Sequence, residues 1–187
     1  MVIMSNHVLS VDEVRMLTRL RTGVVSDFDI ESMIGFVSNS LEDLFGGVEQ
    51  GFDFFVGDDG HGDIERVFWF DLTPLDKDEV RVFVDDVELG SSDFSVFSDR
   101  VELSKFYSRG SKVAVLFVPF LFKEALLYKV CHDLVTGLRE SDLEGVVGVP
   151  STTFLLQRFN GALQSFDNVC RAGVVRDGYV FSQGGMF

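Results

Sequence analysis

Val80-Arg81-Val82-Phe83-Val84-Asp85-Asp86-Val87-Glu88-Leu89 sets a valine at every second position up to an acidic pair, then resumes with Val87 and Leu89. A period of two puts successive side chains on opposite faces of an extended strand and cannot describe a helical stripe. The same habit extends outward in both directions. Before it come an aromatic run with Phe52, Phe54 and Phe55 and an apolar run at residues 67–72. After it come Phe94 and Val96, Val101 and Leu103, and a closing strand at residues 113–118. Pro74 and clusters of acids separate these pieces, while Asp85-Asp86, Ser98-Asp99 and Arg109-Gly110 are turn chemistry. The reading predicts four to six short strands forming one small antiparallel sheet between residues 52 and 118.

On either side the period changes to that of a helix. Ser10 with Glu13 is a capping-box start, and Val14, Leu17 and Leu20 follow, predicting a first helix at 11–21 that Gly23 ends. Ser26 with Asp29 repeats the start. Ile30, Met33, Ile34, Val37, Leu41, Leu44 and Phe45 then recur at helical spacing until Gly46 and Gly47, giving a second helix at 27–45. Pro119 opens a third, broadly apolar helix running to Leu138. Its missing amide proton costs nothing in a first turn. After a linker at 140–150, Ser151 or Thr152 caps a fourth helix carrying Leu155, Phe159, Ala162, Leu163, Phe166, Val169 and Cys170 up to Gly173. The fold class predicted is α+β: a helical pair at 1–50, an antiparallel β insertion at 51–118, a second helical pair at 119–173 completing a four-helix core, and an extended tail at 174–187.

Composition narrows the function classes. The chain has 187 residues, 46% of them hydrophobic, enough for a packed core. No apolar run approaches the length of a membrane helix, since residues 113–138 are broken by Pro119, Lys123, Glu124, Lys129, His132 and Asp133. The first ten residues lack the pattern of a signal peptide, so the expectation is a chain made and kept in a cytoplasm, or packaged from one. The net charge of -14 is uneven. Residues 22–65 hold eleven acidic groups and no basic one, whereas residues 105–187 hold nine basic and seven acidic. Gripping of nucleic-acid phosphate needs Lys and Arg, so the first two thirds are unsuited to it. An acidic surface is suited to letting DNA pass without adhesion.

Constellations that could carry chemistry are few. The glycine-acid loop at 57–63 offers Asp58, Asp59, His61 and Asp63, but its spacing fits neither a calcium loop nor a phosphate loop, and it reads as a turn. Cys131 and His132 are adjacent, and neighbours on a helix point about 100° apart, so they do not form a nucleophile–base pair. Cys131 and Cys170 read as small buried hydrophobes, and His7 as a surface residue. No catalytic residue, cofactor or metal is predicted. Twenty phenylalanines stand against a single tryptophan. Phe68, Trp69 and Phe70, with the run at 52–55, would put rings on both faces of a thin sheet. Either copies of the chain cover the outer face, or helices of the same chain do. The tail, with Val174, Val175, Tyr179, Val180, Phe181, Met186 and Phe187 among glycines, cannot form a core alone. It either adds a strand to a partner or lies on its own sheet.

With these residues in place the chain resembles the head-to-tail adaptor, or head-completion, proteins of tailed phages. The likeness rests on the capped short helix, the second helix ending in glycine, the β segment from Val80 to Leu89, the strands at Phe94, Val96, Val101, Leu103 and 110–115, and Pro119 leading into the third helix. The β segment alone, beginning at Phe55-Val56-Gly57-Asp58-Asp59-Gly60, also resembles short sandwich repeats of phage tail fibres. The resemblance implies a subunit of a homo-oligomeric, commonly dodecameric ring under the portal at the capsid vertex, in contact with tail or neck proteins. The ring would extend the channel through which double-stranded DNA passes, without binding it specifically and without a membrane. It implies that Tyr179, Val180, Phe181, Met186 and Phe187 reach into the portal, and that Asp27, Glu31, Glu42 and Asp43, or the β insertion, line the lumen. The alternative implied is a trimeric fibre or baseplate adhesion module.

Overall fold

The structure is a computed structural model and describes residues 8–57, 64–138, 140–143 and 146–172. Among these residues the chain is α+β. Helices α1 (Val11–Thr18) and α2 (Asp27–Phe45) are followed by strands β1 (Gln50–Phe55), β2 (Val67–Trp69), β3 (Arg81–Val84), β4 (Val87–Glu88), β5 (Phe94–Val96), β6 (Arg100–Leu103) and β7 (Lys112–Phe117). Helix α3 (Phe120–Gly137), a 3-10 turn (Glu140–Leu143) and helix α4 (Thr152–Ala172) complete the order. The chain divides into two compact units, residues 1–45 with 122–165 and residues 46–121 with 166–187.

In the first unit, local sequence signals set the helix starts. Ser10 Oγ accepts the Glu13 amide at 3.3 Å while the Ser10 amide donates to Glu13 Oε2 at 2.9 Å, closing the capping box. Ser26 and Asp29 do the same for α2, with the Asp29 amide donating to Ser26 Oγ at 3.2 Å. Ser151 caps α4, its Oγ accepting the Phe154 amide at 3.2 Å.

Helix α1 is shorter than the predicted 11–21. Arg19 takes a left-handed conformation with φ 61 and donates its amide to Arg15 O at 2.8 Å, ending the helix at Thr18. Leu20 is nevertheless buried, so the apolar spacing that suggested a third turn belongs to the loop. The Arg15 guanidinium organises that loop. Nη1 donates to Leu20 O at 3.0 Å, Nη2 to Val25 O at 2.9 Å, and Nε to Asp27 Oδ1 at 2.9 Å.

The core of this unit is formed by Ile30, Ile34, Val37, Leu41 and Phe45 of α2, Phe122, Ala125, Leu126, Val130 and Leu134 of α3, and Leu155, Phe159 and Ala162 of α4, all buried. Phe45 meets Phe122 edge to face at 5.3 Å, and Tyr128 meets Phe154 edge to face at 6.4 Å. Lys123 Nζ reaches Glu13 Oε1 at 2.7 Å and so ties α3 to α1. Burial alone would raise the Glu13 carboxyl, but Lys123 and the Ser10 donors outweigh it and hold it below the usual value.

The second unit differs from the single sheet predicted. Its strands form two antiparallel sheets, a four-stranded one in the order β1-β7-β3-β4 and a three-stranded one in the order β2-β6-β5. In the first, Phe52 and Phe54 of β1 lie opposite Val115 and Val113 of β7, which in turn lie opposite Val82 and Val84 of β3. All six side chains are buried, with Phe117 beyond them. In the second, Phe68, Val101 and Leu103 are buried. The sheets meet through rings: Phe54 lies 5.4 Å from Phe68, Phe52 lies 5.7 Å from Phe70, and Phe70 lies 4.9 Å from Phe117. Alternation marked these segments as extended, but not that residues 67–69 and 94–103 would pair with one another rather than join β3.

The three predicted turns occur as turns. Asp85 and Asp86 link the paired residues Val84 and Val87 with φ 49 and 64, the double left-handed geometry of a two-residue type I′ hairpin. Gly110 has φ 86, and the Phe97 amide donates to Arg100 O at 2.8 Å across residues 98–99. The Asp85 carboxylate earns its place by accepting the Lys112 amide at 2.8 Å, whereas no described hydrogen bond is made by the Asp86 side chain. Asp86→Gly is therefore expected to relieve left-handed strain and raise the unfolding free energy by up to about 1 kcal/mol, read as a higher urea midpoint at unchanged slope.

Candidate interaction surfaces

The four predicted acidic residues all lie on α2. The helix buries positions 30, 34, 37, 41 and 45, and at 3.6 residues per turn these occupy one arc. Glu31 and Asp43 are exposed on the rest, Asp27 is exposed at the first turn although its azimuth is that of Ile34 and Phe45, and Glu42 is half-buried at the border with Ser38 Oγ 3.5 Å from its Oε1. Asp27 is engaged by Arg15 in an ion pair. With Asp29 the helix carries five carboxylates and no basic residue.

The sequence reading missed the apolar groups on that same arc. Phe28 is 74% exposed, Phe36 68% and Leu44 65%. Leu44 had been assigned to the buried stripe, and it is not part of it. With Ser32 and Ser40 these three residues form one i+4 ridge, which is the element that interdigitates when helices pack. The signal was present for Phe28 and Phe36, which lie off the azimuth of the buried series, whereas Leu44 stands seven residues after the buried Val37 and shares its phase. It was hidden because a helix this rich in apolar groups offers two stripes and the sequence does not say which is covered.

The phenylalanine surplus has a different destination from the one predicted. Phe52, Phe54, Phe68, Phe70 and Phe117 are consumed between the two sheets of the second unit. Phe55, at 50% exposure, and Trp69, at 52%, remain outside. Trp69 lies opposite Arg100 in the β2–β6 ladder, and the Arg100 guanidinium sits 4.9 Å from the Trp69 ring and 4.1 Å from that of Phe97.

Chemistry-bearing side chains of the first unit are occupied in packing. Cys131 is fully buried, and burial pushes its thiol up to about 12, which keeps it protonated and a poor nucleophile. His132 Nδ1 lies 2.9 Å from Asp133 Oδ1, and Lys129 Nζ donates to both Asp133 oxygens at 2.6 and 2.7 Å. Burial would raise the Asp133 carboxyl, and these two cationic or donor partners bring it below its usual value. Among the described residues no group of three or more His, Cys, Asp or Glu is arranged to hold a metal ion, and no helix is long and apolar enough to cross a membrane.

Other predicted residues lie outside the described ones. These are the loop residues Asp58, Asp59, His61 and Asp63, together with His7 and the tail residues Tyr179, Val180, Phe181, Met186 and Phe187. No protein-family model matches the chain, and no curated protein matches it.

Proposed function

We propose that the chain is a structural assembly subunit of the head-to-tail adaptor kind, a non-enzymatic virion component whose copies associate into a ring on the portal and extend the DNA channel toward the tail. The observation that carries this reading is the solvent arc of α2. Three large apolar side chains there stand in water between carboxylates clustered in the first and last turns of the helix, and exposed apolar groups so grouped on a helix are suited to contact with another protein. The order of elements, with helices flanking a β segment, is the one the resemblance to head-completion proteins rests on. The excess of acid suits a neck through which DNA moves without sticking.

Within this proposal α2 belongs to a protein contact rather than to the channel wall. A lumen surface would leave Phe28, Phe36 and Leu44 wet, and a contact covers them. The channel wall then falls to other acids, for which the exposed Asp85, Asp86 and Glu88 of the β3–β4 hairpin are candidates. The tail at 174–187 is assigned the portal latch through Tyr179, Val180, Phe181, Met186 and Phe187.

The exposed Trp69, with the half-buried Arg100 and Phe97 beside it, favours a second reading, a fibre or baseplate adhesion module that uses an aromatic platform to contact a host surface. Native mass spectrometry of the purified protein, alone and mixed with portal, separates the two. The adaptor reading expects a complex with the portal's own copy number, lost when the chain is ended at residue 173. A stable trimer that ignores portal supports the fibre module, and a chain that stays single under both conditions removes both readings.

A further inference from the structure

Self-association through α2 meets an electrostatic obstacle if the contact is symmetric. Two copies of a helix with five carboxylates and no cation would face like charge with like charge, which costs several kcal/mol at an interface. The complement lies elsewhere in the same chain. The segment 104–112 between β6 and β7 holds Lys105, Arg109 and Lys112, with Phe106 and Tyr107, and contains no acid of its own, its Lys112 Nζ pairing with Asp53 Oδ2 of β1 at 3.0 Å. Phe106 is 61% exposed, and the Arg66 guanidinium lies 4.5 Å from its ring. Lys105 Nζ pairs with Asp93 at 2.5 Å in a setting where the lysine side chain is 65% exposed. A surface pair of this kind is worth little and exchanges partners readily. One surface of the chain is thus a ring among cations, and the other is a ridge of rings among carboxylates.

We infer that the exposed arc of α2 receives the 104–111 loop of a second copy of this chain. Phe106 would bury against the Phe28–Phe36 ridge while Lys105 and Arg109 meet Glu31 and Asp43. The two patches differ, so the contact is heterologous, the type that propagates from copy to copy and closes into a ring when the rotation permits. Gly35 supports this use of α2. It lies in the middle of the helix, where glycine costs stability relative to alanine, yet a Cβ built there meets nothing within 4 Å. Among the described residues no packing accounts for the missing side chain, and a notch beside the ridge would admit a partner.

The inference rests on the proposal that the chain assembles with itself, and sedimentation velocity on four samples tests the two separately. They are the wild type, Glu31→Lys with Asp43→Lys, Lys105→Glu with Arg109→Glu, and an equimolar mixture of the two reversed proteins. Each reversed protein alone is expected to associate at least tenfold more weakly than wild type. The mixture is expected to recover assembly with the two proteins alternating, because every contact in it again joins opposite charges. Gly35→Leu, which improves helix propensity, is expected to block assembly without lowering the thermal midpoint, so misfolding cannot account for the loss. Reversed proteins that assemble like wild type, or a mixture that fails to recover, overturn this contact and leave self-assembly standing. A wild type that stays single, alone and with portal, overturns self-assembly itself.

Discussion

Phe117→Ala is expected to lower the unfolding free energy by about 3–5 kcal/mol, the cost of emptying a large aromatic site in a core that collapses only partly. Phe117 is 1% exposed at the end of β7, with its ring 5.4 Å from Phe52 and 4.9 Å from Phe70. It therefore touches a strand partner in its own sheet and the residue following β2 in the facing one. Domains of this size hold only about 5–15 kcal/mol in total, so the variant should sit near its unfolding midpoint at moderate urea concentrations. Phe55→Ala on neighbouring β1 provides the contrast. Half of that side chain is already in water, and its loss should cost less than about 1 kcal/mol. Equal effects from the two substitutions would contradict the sandwich of rings between the sheets.

Arg15→Lys should cost roughly 2–4 kcal/mol although it conserves charge. The planar guanidinium serves the Leu20 carbonyl, the Val25 carbonyl and Asp27 at once, and its side chain is only 16% exposed. A single ammonium cannot reach three acceptors in that fork. Leu20 and Val25 are buried, so carbonyls left without a donor there lose water as well as arginine. Asp27→Asn tests which part matters. Asp27 is 61% exposed, and losing its charge alone should cost under about 1 kcal/mol. If Arg15→Lys were as mild as Asp27→Asn, the loop between α1 and α2 would not depend on the fork. Urea denaturation followed by circular dichroism measures both.

Much of the local structure was legible because its causes are local. The start of α1 follows from Ser10 and Glu13 and that of α2 from Ser26 and Asp29, each within one turn of chain. The hairpin at Asp85-Asp86 and the turn at Gly110 follow from residues that tolerate left-handed backbone. The end of α1 was misjudged for the same kind of reason in reverse. Leu20 keeps helical spacing, but what buries it is the loop that Arg15 gathers from a distance of five and ten residues. In the candidate surface, the acids of α2 were readable as charges. The exposure of Phe28, Phe36 and Leu44 was not, since an apolar residue carries no mark saying whether something covers it.

Sequence alone determined the class of the chain: helices at both ends, a β segment between them, the capping residues of α1, α2 and α4 and the separation of acid from base along the sequence. Tertiary structure decided that the strands divide into two facing sheets, that Phe52, Phe54, Phe68, Phe70 and Phe117 meet between them, and that one side of α2 is left bare. Periodicity fixes which way a side chain points relative to its own backbone, and neighbours within a turn suffice for that. Which surface it then meets depends on pairings between residues tens of positions apart, and those are chosen by the packing of the whole.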